Sequence, residues 1–305
     1  MFSYLLRRLL STIPLLFVIL SLSFVFMRSA PGGPFDDERT LPAQIEENLR
    51  AKYHLDEPLW KQFGRYMGGL FQGDLGPSFK YQARSVNEII AQSLPVSLVL
   101  GATALAIALA VGVPAGVFGA LHHNRIRDYF TMSMSLLGIC VPNFVLGPLL
   151  IVIFSFSLAW FPAGGWGNLN QLILPAITLG AIRAAYIARL ARAGMLEVIH
   201  QDFIRTARAK GLRERIVVGK HALRVAILPV VTYLGPATAS ILVGSVVVER
   251  IFNIPGLGSF FVNSALNRDY TMAMGTVLLY SALLITLNLI VDLLYAVIDP
   301  RVELR

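Results

Sequence analysis

Charge is what this chain has least of. Asp, Glu, Lys and Arg make up 14% of its 305 residues, against about 25% in ordinary soluble domains. That shortage rules out a water-solvated surface over most of its length. Acids are scarcer than bases, 18 against 26. Cysteine is nearly missing: Cys140 stands alone, so no internal disulfide can form, and its place in an apolar stretch predicts a buried, inert thiol. Catalytic signatures are missing too. The one Gly-Lys pair, Gly219-Lys220, is followed by His221 and has Glu214 where a phosphate-binding loop needs its first glycine. No HExxH zinc motif and no GxSxG nucleophile elbow occurs. His122-His123 sits at a span end, where an interfacial, solvated pair is expected rather than a metal site.

What is present is apolar. Hydrophobic residues make up 55% and mean hydropathy is +0.65, which predicts an all-α integral membrane protein. The first apolar run, Leu9 to Met27, follows Arg7 and Arg8. A signal-peptide core is about 7–15 residues, whereas spanning hydrocarbon takes about 20, so this run is read as an uncleaved first helix. Five further spans are expected at Leu98–Leu121, Phe130–Leu158, Leu172–Ala193, Ile227–Val248 and Met272–Val297. The short loops fix their direction. His122 to Asp128 carries Arg125 and Arg127 and lies inside; Ser157 to Gln171 is uncharged, carries Trp160, Phe161 and Trp166, and lies outside. Glu249 to Thr271 is neutral and outside, and the tail Asp299 to Arg305 is inside. Six transmembrane helices with both termini cytoplasmic satisfy these loops. The organisation expected is a first transmembrane helix at 1–28, an external segment at 29–97, and a core of five spans at 98–305.

The external segment holds both charge signs and turn residues, and Ile45 to Tyr53 reads as a short helix with Ile45, Leu49 and Tyr53 on one face. A solvated cap and a docking surface both fit it. Pro14, Pro114, Pro142, Pro148, Pro175, Pro229 and Pro236 fall within spans, where each removes a backbone donor and tends to kink a helix. Gly112 and Gly116 form a GxxxG that permits close helix approach.

The most informative stretch lies between two spans. From Arg189 to Arg224 there are nine Lys/Arg against three acids, a density that hydrocarbon excludes and that the positive-inside rule puts in the cytoplasm. Nucleic acid is disfavoured by the adjoining spans, since basic residues there set topology and meet anionic headgroups. Asp202 is the expected N-cap and Gly211 the expected stop of a short helix, Phe203 to Lys210, with a second helix at Glu214 to Leu228. A structured basic loop at a span junction suggests a docking surface for a soluble partner. Arg183, mid-way along the fourth span, is the other residue of note. A charge there tends to face a cavity or a partner, and contact with a substrate carboxylate, with Asp292 or with a second subunit all stay open.

These residues resemble a known family. RTARAKG at Arg205 to Gly211, with His221-Ala-Leu-Arg224 and Ile227-Leu-Pro229, is similar to the EAA loop of binding-protein-dependent ABC importer permeases. Ala207, Gly211 and Leu223 match that loop's pattern, while Arg205, Thr206, His221 and Arg224 depart from it in the manner of the peptide and nickel branch. AKYHLDEP at Ala51 to Pro58, GDLGPSFKY at Gly73 to Tyr81, SVNEII at Ser85 to Ile90, ERIFNIPGLG at Glu249 to Gly258, LNRDY at Leu266 to Tyr270 and YAVIDPR at Tyr295 to Arg301 resemble the same branch. The resemblance implies a type I ABC importer permease fold in the bacterial inner membrane, with an EAA-type coupling loop at 194–226. It implies a second homologous permease, two cytoplasmic ATPases that use ATP and Mg, and an external peptide-binding protein, with no cofactor on this chain. The ATPase-docking residues would be Asp202, Phe203, Ile204, Arg205, Thr206, Ala207, Arg208, Ala209, Lys210 and Gly211, with Ala207 and Gly211 small because the partner packs closely. Oligopeptides are the implied cargo. Dipeptides, glutathione or nickel stay open within the family, and a stand-alone secondary transporter outside it.

Overall fold

A computed structural model describes residues 2–29, 47–48, 50–51, 53–81 and 84–298, with the side chains of 2–7, 9, 239, 242–244 and 291–298 left aside. Among the described residues there is no strand, only an isolated antiparallel bridge between Pro77 and Ser85. Four helices are long and apolar enough to cross a membrane, and six spans result if each of two bent helix pairs counts as one. Ile45 and the tail from Asp299 lie outside the described residues, as does the side chain of Asp292.

The helices are α1 (Phe2–Ser29), α2 (Leu59–Phe71), α3 (Val86–Leu121), α4 (Ile126–Cys140), α5 (Asn143–Ser157), α6 (Leu169–Val198), α7 (Asp202–Ala209), α8 (Glu214–Ala226), α9 (Leu228–Ile251), α10 (Leu257–Leu266) and α11 (Tyr270–Ile298). The expected span Phe130–Leu158 is therefore not one helix. It breaks by 106° between α4 and α5, where Val141 is extended ahead of Pro142, as the residue before a proline prefers. The second break, 53°, separates α8 from α9 next to Pro229. Pro14, Pro148, Pro175 and Pro236 stay inside continuous helices. Cys140 closes α4 at the first break, where the helix stops ahead of Pro142, and is exposed, not buried as expected.

The chain divides into two compact units, 1–96 with 256–283, and 97–255 with 284–305. In the first, Leu20, Phe24 and Met274 form one core with Phe63, Tyr66 and Leu70 packed on it, and Val86, Ile89, Leu257 and Met272 form another. Its irregular stretch is gathered by Asp269, which is 1% exposed. That carboxylate accepts from the hydroxyl of Ser78 and from the backbone N–H groups of Phe79 (3.1 Å) and Met272 (3.2 Å). A carboxylate buried this deeply is stable only when its lone pairs are met, and here backbone donors meet them.

In the second unit, α3 and α6 pack through small residues. A Cβ on Gly112 would lie 2.6 Å from the Ala184 carbonyl oxygen, one on Gly116 2.3 Å from that of Ala188, and one on Gly180 2.6 Å from that of Ala104. The GxxxG pair thus sits on a helix seam, where backbones approach too closely for any side chain. Glu249, 1% exposed, accepts from Ser97 Oγ at 2.7 Å.

Candidate functional site

The basic loop folds as two short helices hung from α6. Gln201, extended at φ −74° and ψ 155°, precedes α7, so Asp202 is the first helical residue and not the cap; it still lies where an acid suits the helix dipole. The helix ends at Ala209, and Gly211 follows in the left-handed region at φ +74°. Its N–H donates to the Arg208 carbonyl at 2.9 Å. A Cβ there would meet nothing within 4 Å, so the glycine serves the turn, not a close contact within this chain.

One face of α7 is secured to its own unit. Ile204 and Ala207, three apart, are buried in a core with Ala120, Met195, Val198, Val217, Ala222 and Ala226. Burying an isoleucine contributes about 1.5–3 kcal/mol, enough to hold two turns that would not persist as an isolated helix. Ala207 is therefore small because it faces inward, a different reason from the close partner packing expected of it. Gly194 sharpens the anchorage: a Cβ there would lie 2.2 Å from the Ala226 carbonyl oxygen, so α6 and α8 touch backbone to backbone.

The opposite face is open. Asp202, Phe203, Arg205, Thr206, Arg208, Ala209, Lys210 and Gly211 are exposed. Phe203 stands out as an exposed aromatic ring on the same short helix as Arg205 and Arg208. Two of the charges are partly spent within the loop: Arg208 Nη2 pairs with Glu214 Oε1 at 2.7 Å, and Arg205 lies 3.5 Å from Asp202. The Glu214 carboxylate, by its hydrogen bond, holds the Arg208 guanidinium above its usual pKa. Lys210 completes the exposed basic rim.

An ion pair with a buried acid joins the first turn of α4 to α6, and sequence reasoning missed it. Asp128, 2% exposed, takes a two-pronged contact from Arg192, Nε to Oδ1 and Nη2 to Oδ2, each 2.7 Å. The Asn124 N–H adds a bond at 3.0 Å, and His123 Nδ1 lies 3.6 Å from Asp128 Oδ2. His123 is thus part of a polar cluster and not merely solvated, while His122 packs its ring 4.4 Å from that of Phe118. The partners are 64 residues apart, so no local pattern announces them. Among the described residues no His, Cys, Asp or Glu group could hold a metal ion.

Arg183 stands near the middle of α6 and is half-buried. Its Nη1 contacts the Tyr233 hydroxyl of α9 at 3.3 Å, and the ring of Tyr186 lies 5.9 Å from that of Tyr233. Two cavities stand out among the described residues, one in each unit. About 550 Å³ is walled by Arg28, Tyr53, Tyr66, Phe79 and Tyr270, with the Arg28 guanidinium 4.3 Å from the Tyr270 ring. About 600 Å³ is walled by apolar and small residues of α3, α4 and α6.

The sequence pattern of the family described as binding-protein-dependent transport system inner membrane component matches residues 112–304, and that of its N-terminal region matches 1–101. The chain belongs to this family. It is accordingly a multi-pass inner membrane component of a binding-protein-dependent transport system. Its relatives include the oligopeptide transport system permease protein OppB of Haemophilus influenzae, 49% identical over 305 residues, 99% of this chain and 100% of that one. OppB of Escherichia coli gives the same figures. The dipeptide transport system permease protein DppB of Bacillus subtilis is 45% identical over 302 residues, 99% of this chain and 98% of that one. Among solved structures, the methionine ABC transporter MetNI in an inward-facing conformation matches with a TM-score of 0.59 and 17% identity, covering 69% of this chain and 96% of that one. That likeness gives the fold: an ABC importer permease.

Proposed function

We propose that this chain is one of two permease subunits lining an import path for oligopeptides, which an external binding protein delivers and ATP hydrolysis by two cytoplasmic subunits drives. The observation that carries the reading is identity of 49% along the full length to permeases named for oligopeptide transport. The basic residues of the short loops support cytoplasmic positions for both chain termini. The ATPases, with their own ATP and Mg, dock on Asp202 to Gly211. In support, α7 is secured by Ile204 and Ala207 and keeps Phe203, Arg205 and Lys210 outward. A push on a short helix wedged on a packed core moves the helices it joins rather than bending the loop. ATP binding that draws two such helices together turns the path from inward to outward opening, provided the contacts differ between the two states. The external stretch 29–97 serves the outer face.

A dipeptide substrate is the second reading, favoured by 45% identity to a dipeptide permease over nearly the same length. Proteoliposomes holding this chain with its second permease and ATPases separate the two. ATP hydrolysis is measured with binding protein loaded with peptides of two to six residues, and with nickel as control. Stimulation by peptides of three residues or more, lost when this chain is omitted, is the expected result. Stimulation by dipeptides or nickel alone overturns the oligopeptide assignment, and failure to assemble with any ATPase overturns the importer reading.

A further inference from the structure

Arg183 has more hydrogen-bond donors than the described residues meet. Among the described residues its hydrogen-bond partner is a neutral phenol, Tyr233, at 3.3 Å, with no carboxylate beside it. A guanidinium carries five N–H donors, so one hydroxyl contact leaves most of them without an acceptor among the described residues. Tyr186, three residues along α6 and so on the same face, is 39% exposed and brings a second phenol beside the first. A partly exposed cation flanked by two phenols near the centre of a span does not suit hydrocarbon. It belongs against a water-filled path or another polar group.

We infer that Arg183, with Tyr186 and Tyr233, forms a binding point for the C-terminal carboxylate of the peptide in transit. This rests on the peptide-import reading above. The carboxylate is the one anionic group that every linear peptide carries whatever its sequence, and a guanidinium fork with adjoining hydroxyl donors matches its two oxygens. The phenol rings add faces against which varied side chains can lie without a choice among them. Arg183 acts here as a specificity residue for free-acid peptides.

The test is uptake by the whole transporter in proteoliposomes, with trialanine and its C-terminal amide each supplied on saturated binding protein. The wild type is expected to import the acid about tenfold faster than the amide, the scale of one charge-assisted contact. Arg183→Gln brings the acid down to the rate of the amide, and Arg183→Lys restores part of the difference. Equal loss for both substrates in R183Q marks a structural role and overturns the inference, as does no change in either. Reproduction of the R183Q result by Asp292→Asn identifies an internal ion pair instead and overturns it equally. Absence of trialanine uptake by the wild type sinks the peptide reading itself, whereas uptake indifferent to Arg183 sinks only this proposal.

Discussion

Two irregular stretches of this chain are held in opposite ways. In one unit the segment from Gly73 to Ser85 is tied by polar groups. Asp269 collects Ser78, Phe79 and Met272, while Asn87 clamps the Leu75 N–H and the Gly73 carbonyl at 2.8 and 2.7 Å. In the other unit α7 is held by two apolar side chains and keeps its polar groups outward. The first device spends polar groups of its loop on contacts within its own unit. The second keeps those groups at the surface, with Arg205 and Arg208 paired only to exposed acids of the same loop. A segment that must receive a partner is better anchored by the second, because a helix fixed by its apolar face presents its charged face without rearrangement.

The contrast breaks first at Asp269. Asp269→Ala orphans several buried donors at once and is expected to destabilise by about 3 kcal/mol or more, read as a drop in the melting temperature of the detergent-purified complex. Ile204→Ala comes next: the cavity and lost burial cost about 2 kcal/mol or more, and the expected signature is ATP hydrolysis no longer stimulated by loaded binding protein. Full stimulation in that variant would mean that α7 does not transmit the stroke. Gly211 separates backbone from contact. Gly211→Asn, which tolerates left-handed backbone, is expected to keep coupling, while Gly211→Val costs about 1–2 kcal/mol in strain and weakens it in the same assay. If Asn fails as badly as Val, a partner surface fills the open space beside this glycine.

The smallest effect is a pH dependence at the N-terminus of α2. Glu57 is subject to burial, which raises its pKa, yet Arg65 at 2.8 Å and Lys61 at 3.4 Å outweigh that and hold it below the usual carboxylate value. A depressed folded pKa contributes stability that is complete above the unfolded value and fades as pH falls through the folded one. Hydrogen exchange in the first turn of α2 is therefore expected to quicken below about pH 4.5, and Glu57→Gln abolishes that dependence.

The span pattern was readable because hydrocarbon imposes a length and a polarity on every crossing segment, and the basic loop because its charge is excluded there. The GxxxG at Gly112 and Gly116 was readable as a seam for a similar reason, since small residues four apart have few other uses in an apolar helix. Other features were not legible. Ala207 was expected to be small for a partner and is small for its own core. Cys140 was expected in the interior and lies at a bend on the surface. His123 is exposed, as expected, but its contacts with Asp128 and Arg192 were not foreseen. For Ala207 the neighbours that decide the outcome come from elsewhere in the chain, beyond the reach of local composition.

By itself the sequence determined the membrane class, the apolar segments, the position of the basic loop and the family resemblance. All of these follow from composition and spacing along the chain. Tertiary structure decided which face of α7 is free, that the expected span Phe130–Leu158 breaks by 106°, and that Arg183 meets the Tyr233 phenol among the described residues. Those outcomes depend on packing between residues tens of positions apart, and burial and hydrogen bonding across such distances leave no periodic trace in the sequence.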